Sequence, residues 1–325
     1  MNTNYIKQRS RRIYAITLCF ILMLSASAAG ACSGNNSGSA DNASDSAAAS
    51  SEIAEELPMP KIPESITGRD EKLAYAATHF WDVMNFEDTT RSHNDAFMEQ
   101  NFANFAYILQ LQTKKEAQRD AVYALLRKAS VEKGALEKVK DVAELYLADP
   151  NSPMVSEDIW MIFLRVMIDE DGFCNSTEKM RYSFELSMRE KNCPGMTAAD
   201  FSYADINGNK HTLLSTPTGK EGIVVLFFDP DCEHCKETIT SLTSDPTLTE
   251  KLKSGDFTLL AIDVEDNKEL WKSAAESFPK DWIVGINTDD LREREAYWLQ
   301  ALPSIYVLDD KYIVKKKDAI FPNIF

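Results

Sequence analysis

Cys232-Glu233-His234-Cys235 follows the unbroken apolar run Gly222-Ile223-Val224-Val225-Leu226-Phe227-Phe228 and opens a segment of helical pattern. Seven apolar residues in a row read as a strand buried on both faces, so both thiols fall where a strand gives way to a helix N-terminus. Exposed amide N–H groups and the positive end of the helix dipole would stabilise a thiolate on Cys232, the form that attacks disulfides. Cys235, one turn further on, would then attack the mixed disulfide and release the product. This is the chemistry of thiol–disulfide exchange.

The elements that would hold such a pair begin at residue 193. Phe201–Ile206 and His211–Leu214 flank Asn207-Gly208, a hairpin signal. Strand 222–228 and the Cys232 helix come next, then strand Phe257–Asp263, helix Lys268–Phe278, strand Trp282–Ile286, helix Asp290–Gln300 and strands Ser304–Leu308 and Tyr312–Lys316. Alternating strands and helices predict a mainly parallel sheet covered on both faces, with the last two strands forming an edge hairpin through Asp309-Asp310-Lys311.

Residues 64–192 have a helical period instead. Leu73, Ala77, Phe80 and Met84 share a face, as do Phe102, Phe105 and Leu109. Thr113-Lys114-Lys115-Glu116 reads as a capping box before Val122, Leu125 and Leu126. Leu136, Val139, Val142 and Leu145 form a further stripe, and Ile159–Ile168 is apolar nearly all round, as the central helix of a bundle would be. Met180–Met188 closes the set. His79 and His93 are isolated, and the region offers no catalytic constellation; it would act as a scaffold, or present a docking groove beside the dithiol.

The first 31 residues carry Lys7, Arg9, Arg11 and Arg12, then the apolar stretch Ile13–Leu24, then small residues, which is the pattern of an export signal. Ala29-Gly30-Ala31 precedes Cys32 and offers two outcomes: lipid attachment at Cys32, or ordinary cleavage at an A-x-A site. Lipidation is the expected one, because a bare thiol at an exported terminus is a liability. Residues 32–63 are rich in Ser, Ala, Asn and Asp and should be a disordered tether. Ser33-Gly34-Asn35-Asn36 carries no acidic cluster of the kind that resembles a surface-export signal, which points to the periplasmic side.

Six cysteines become four once Cys19 and Cys32 are set aside. In an exported protein Cys174 and Cys193 could form a structural bridge or remain two buried thiols, alternatives that spacing does not decide. Loss of the signal leaves 31 basic against 51 acidic residues, a net charge of −20. That surface repels phosphate backbones and excludes a nucleic-acid partner. One CxxC with scattered histidines does not supply a zinc site, Lys236 stands where covalent haem attachment needs histidine, and no flavin or nicotinamide motif appears, so no metal or cofactor is expected.

The order of hairpin, strand, CxxC helix, crossover, proline and closing hairpin resembles a thioredoxin fold, specifically the extracytoplasmic TlpA/ResA-like thiol-disulfide oxidoreductases. The resemblance covers residues 193–325 and is carried by Phe227-Phe228-Asp229-Pro230-Asp231-Cys232-Glu233-His234-Cys235 and Ala301-Leu302-Pro303-Ser304-Ile305-Tyr306-Val307-Leu308. The helical region resembles a domain of unknown function that precedes such domains in lipoproteins of Gram-negative anaerobes. The fold class implied is an α/β thioredoxin-like C-terminal domain preceded by an all-α helical bundle domain. The resemblance also implies a cis Leu302–Pro303 bond lying against the dithiol and shaping a substrate groove.

Three departures from the family pattern stand out. Asp231 replaces a frequent Trp, and Leu226 replaces a polar or acidic residue inside the strand, so a buried proton acceptor is missing or comes from elsewhere, with Glu233, Asp229 and Asp231 as candidates. The chain stops at Ile320-Phe321-Pro322-Asn323-Ile324-Phe325 where another helix is normal. Either the helical domain covers that face of the sheet or the face stays open, and a truncated reading frame would give the same ending. Glu233 and His234 would tune the thiols in opposite directions. The resulting expectation is a lipid-anchored, envelope-facing enzyme, reductase or isomerase, exchanging disulfides with protein substrates and reduced by a membrane or periplasmic dithiol donor. Its rival is a redox-inert thioredoxin-like binding or assembly module.

Overall fold

The computed structural model describes residues 55–265, 267–291 and 295–325. The export signal, Cys32 and most of the expected tether lie outside them. The chain divides into two compact units, of which the second is Met180–Phe325.

The first unit is helical: α1 (Arg69–His79), the short α2 (Thr89–Ser92), α3 (Asp95–Leu111), α4 (Lys115–Ala129), α5 (Lys133–Ala143) running into a wider turn at Glu144–Ala148, and α6 (Glu157–Asp169). The all-round apolar sequence of α6 has its expected counterpart, with Ile159 through Leu164, Val166 and Met167 all buried. Phe102 packs edge-on against Phe105 and tilted against Phe163, an aromatic centre contributed by α3 and α6. Lys140 is buried and stays charged because Glu178 and Glu137 lie 2.6 and 3.0 Å from its Nζ, and their hydrogen bonds outweigh its desolvation.

Two sequence expectations change here. The tether ends sooner than residue 63: the Leu57 side chain is buried, its N–H donates to Asn101 Oδ1 at 2.7 Å, and Asn101 Nδ2 donates to the Glu55 carbonyl. One large apolar side chain with a buried amide to bind was enough to pin the segment. The capping box at Thr113 is also absent. The helix starts one residue later, after Lys114, whose N–H is taken by Gln112 Oε1 at 2.9 Å.

A seventh helix, α7 (Ser176–Arg189), contains the division between the units. Its C-terminal end is tied into the second unit by Arg189 Nη2 donating to Gln300 Oε1 (3.0 Å) and Lys317 Nζ donating to the Arg189 carbonyl (2.7 Å).

The second unit is built on a seven-stranded sheet: β1 (Ser202–Ala204), β2 (Lys210–Thr212), β3 (Gly222–Phe228), β4 (Phe257–Asp263), β5 (Ile283–Asn287), β6 (Ser304–Leu308) and β7 (Val314–Lys316). Its order is β2-β1-β5-β4-β3-β6-β7. The sheet is mixed rather than mainly parallel: β3–β4 and β4–β5 are parallel, while β1–β2, β1–β5, β3–β6 and β6–β7 are antiparallel. The helices α8 (Glu233–Ser244), α9 (Pro246–Lys253) and α10 (Lys268–Ala275) supply the crossovers.

Every residue of β3 is buried, which explains its unbroken apolar sequence. Side chains alternate across the sheet. Ile223, Val225 and Phe227 meet Phe201, Tyr297 and Tyr306 on one face; Val224, Leu226 and Phe228 meet Cys235, Leu242 and Ile305 on the other. At the start of β3, Gly222 has φ 152°, and a Cβ there would collide with the Leu308 carbonyl of β6.

The helix expected over Asp290–Gln300 is not formed by the described residues of that span. Asp290 and Glu295 have φ of 50° and 52°, left-handed backbone that interrupts an α-helix, and Tyr297 turns inward so that its hydroxyl donates to the Ala199 carbonyl at 2.7 Å. The chain end also resolves differently from either alternative above. The tail itself folds back: Ala319 N–H donates to the Ile305 carbonyl, Ile324 is buried on the Cys235 face, and the Phe325 ring lies 4.9 Å from that of Phe257.

Candidate dithiol site

The site grows from the end of β3. Asp229 Oδ1 accepts the Asp231 N–H at 2.8 Å and the Asp229 carbonyl accepts the Cys232 N–H at 3.2 Å, a tight turn that redirects the chain out of the sheet. Cys232 thereby becomes the N-cap of α8 with extended backbone (φ −75°, ψ 121°), and its Sγ accepts the Cys235 N–H at 3.4 Å. A sulfur in that position receives the donors a helix leaves unsatisfied in its first turn.

The two sulfurs differ in environment. Cys232 is partly exposed, whereas Cys235 is buried in the apolar face formed by β3 and β6. Burial pushes the Cys235 thiol up to about 12; the Asp229 N–H works against this, and the Cys232 sulfur and the Asp229 charge add to it. An outer sulfur with an inner partner one turn away allows attack followed by resolution, once the inner thiol gives up its proton.

Leu302 and Pro303, expected beside the dithiol, are there. Cys232 Sγ lies 3.8 Å from the Leu302 carbonyl, and the Leu302–Pro303 bond is cis. The expected tuning residues are less engaged. Glu233 is exposed and faces Lys236 at 3.7 Å, and His234 is exposed with Nδ1 3.5 Å from Glu237 Oε2. Cys174 and Cys193 are both thiols rather than halves of a bridge: burial raises the pKa of Cys174, and Cys193 Sγ donates to the Arg189 carbonyl at 3.3 Å.

One further carboxyl, not among the residues expected from the sequence, is buried in the sheet. Asp263 closes β4 and is fully buried. Its Oδ1 accepts the Glu265 N–H at 2.8 Å, and its Oδ2 has no partner among the described residues. Desolvation, reinforced by the Asp229 and Glu265 charges and opposed by the Glu265 N–H, pushes this carboxyl up to about 7. The signal was present in the strand Phe257-Thr258-Leu259-Leu260-Ala261-Ile262-Asp263. Strand alternation gives Asp263 the parity of Leu259 and Ala261, and both of those lie on the Cys235 face.

Residues 31–192 match the family described as a domain of unknown function, DUF5106. A thioredoxin-like protein from Bacteroides caccae is 27% identical, with a TM-score of 0.74 over 81% of this chain and 94% of that one. This is a DUF5106 domain joined to a thioredoxin-like domain. A conserved protein of unknown function from Bacteroides fragilis also aligns (33% identity, 40% of this chain, 93% of that chain, TM-score 0.38). A thiol-disulfide oxidoreductase from the same species matches at 21% identity, over 38% of this chain and 91% of that one, with a TM-score of 0.33. No curated protein matches. The DUF5106 domain brings no assigned chemistry, which leaves the dithiol of the thioredoxin-like domain as the candidate site.

Proposed function

We propose that the protein is an extracytoplasmic thiol-disulfide oxidoreductase in which Cys232 attacks and Cys235 resolves. The observation that carries this reading is the partly exposed Cys232 sulfur at the head of α8, with the Cys235 N–H aimed at it and the Leu302 carbonyl beside it. The Cys232 thiolate attacks one sulfur of a substrate disulfide, forming a mixed disulfide and expelling the other sulfur as a thiolate, which takes up a proton. Cys235 then loses its proton and attacks Cys232; the Cys232–Cys235 bond forms, the mixed disulfide breaks and the second substrate thiol leaves. Two electrons pass to the substrate, and a second dithiol protein must return them.

Reduction or isomerisation of protein disulfides is the direction taken from the family resemblance. Lipid attachment through Cys32 and a periplasm-facing position belong to the same proposal and rest on the residues around Cys32. As the family resemblance implies, extended substrate would lie along Leu302–Pro303, beside the outer sulfur.

The test is reduction of insulin disulfides with dithiothreitol as electron donor. Cys232→Ser should lower the rate at least a hundredfold without altering the circular dichroism spectrum. Cys235→Ser should trap a mixed disulfide with the substrate, visible on a non-reducing gel. Undiminished turnover by Cys232→Ser would reject the proposal and favour the redox-inert module.

A further inference from the structure

Thiol–disulfide exchange at this site has one unmet need. Cys235 must lose its proton in the resolving step, yet burial holds it as a thiol. Some group has to accept that proton on the apolar side of the sheet. The exposed acids Asp231 and Glu233 lie on the solvent side of the turn, and Leu226, in the interior of β3, carries no ionisable group.

We propose that Asp263 accepts the Cys235 proton in the resolving step, acting as general base to the buried thiol without touching substrate. Four observations converge on it. Asp263 is in register with Phe228, the last residue of β3 before the turn that carries the cysteines. It shares the parity of Leu259 and Ala261, whose side chains pack on the same face as Cys235. The Asp229 charge acts on both groups, raising the Asp263 carboxyl and the Cys235 thiol alike. Finally, Oδ1 is committed to the Glu265 N–H while Oδ2 is buried without a partner among the described residues. A buried orphan oxygen costs about 1–3 kcal/mol and is expected where function retains it.

The charge environment suits the role. Among the described residues, the ionisable groups acting on Asp263 are Asp229, from the turn after β3, and Glu265, from its own turn; its lateral neighbours Phe228 and Ile286 are apolar. Both acids disfavour a second negative charge, so the carboxyl takes a proton readily near neutrality. In the step itself the Cys235 S–H bond breaks and its proton passes to the Asp263 carboxylate, directly or through one water. The Cys235 thiolate forms the bond to Cys232, the departing substrate sulfur leaves with the electron pair of the mixed disulfide, and the proton returns to solvent when Asp263 ionises again. The strand next to β3 thus supplies what the Leu226 position does not.

This inference rests on the oxidoreductase reading, and the experiment separates the two. Reduced full-length protein is mixed with one equivalent of a chromogenic aromatic disulfide, dithionitrobenzoate. Attack by Cys232 releases a first coloured thiol, and closure by Cys235 releases a second. Cys235→Ser should show the first phase alone. Asp263→Asn keeps an oxygen for the Glu265 N–H and should leave the first phase unchanged, while slowing the second about a hundredfold at pH 7. It should also abolish the inflection near pH 7 in the second-phase profile, leaving a rate that climbs steadily as Cys235 itself ionises. A variant with the wild-type second phase and inflection overturns the role of Asp263 and leaves the oxidoreductase reading intact. Absence of a second phase in the wild type overturns both. If Asp263→Asn does not fold, the wild-type profiles decide: an inflection near pH 7 confined to the second phase supports the role, and its absence there overturns it.

Discussion

At the scale of single residues, the dithiol was legible because its chemistry lies in adjacent positions. CxxC after an apolar strand specifies an N-capping sulfur and a second sulfur one turn inward, and both are in place. Asp263 was not legible in the same way: it stands 28 positions beyond Cys235, and its burial depends on strand register and on which neighbours remove water from it. Its raised carboxyl has a thermodynamic consequence. The ordinary value is 3.8 and the folded value about 7, so between them the native chain binds a proton that the unfolded chain has already released. Stability is therefore highest below about pH 4 as far as this group is concerned, and is lost as pH rises towards 7, at about 1.4 kcal/mol per pH unit at most. Asp263→Asn should flatten that part of the curve and be the more stable protein at pH 8, by a few kcal/mol. Urea midpoints of the two full-length proteins, measured by tryptophan fluorescence from pH 4 to 8, check this; parallel curves would contradict it.

At the scale of elements, strands were read more securely than helices. The apolar run of β3 and the Asn207-Gly208 turn follow directly from local chemistry, and Gly208 takes φ 82° between β1 and β2. Residues 290–300 show the opposite case. Their apolar spacing suggests a helix, but Leu291 and Tyr297 reach the same core from turns, with Asp290 and Glu295 in left-handed conformation. Spacing records which side chains are buried, and it does not record the backbone path between them. The entry to β3 is the most exacting joint. At Gly222 an added methyl group meets the Leu308 carbonyl at an already unfavourable φ, so Gly222→Ala should cost about 2–4 kcal/mol by the same urea measurement. A change below 0.5 kcal/mol would mean that β6 moves aside freely.

At the scale of the whole molecule, the division into a helical region and an α/β region was legible from the change of period near residue 193, and the family match ending at residue 192 lies at that change. The compact α/β unit nonetheless begins at Met180, because the end of α7 is bound by Gln300 and Lys317, long-range partners that no local pattern announces. The tail was equally hard to read. Ile320–Phe325 looks like an ending without a closing helix, yet Ile324 fills the apolar face that α8 leaves open. Ile324→Ala should therefore lower stability by about 2–4 kcal/mol, with increased binding of a hydrophobic dye; an unchanged urea midpoint would show that the tail contributes no packing. At the other end, the bonds from Asn101 to Glu55 and Leu57 set a mooring point on the helical unit. The proposed lipid at Cys32 would then sit 23 residues before Glu55, a separation that covalent geometry limits to roughly 75 Å.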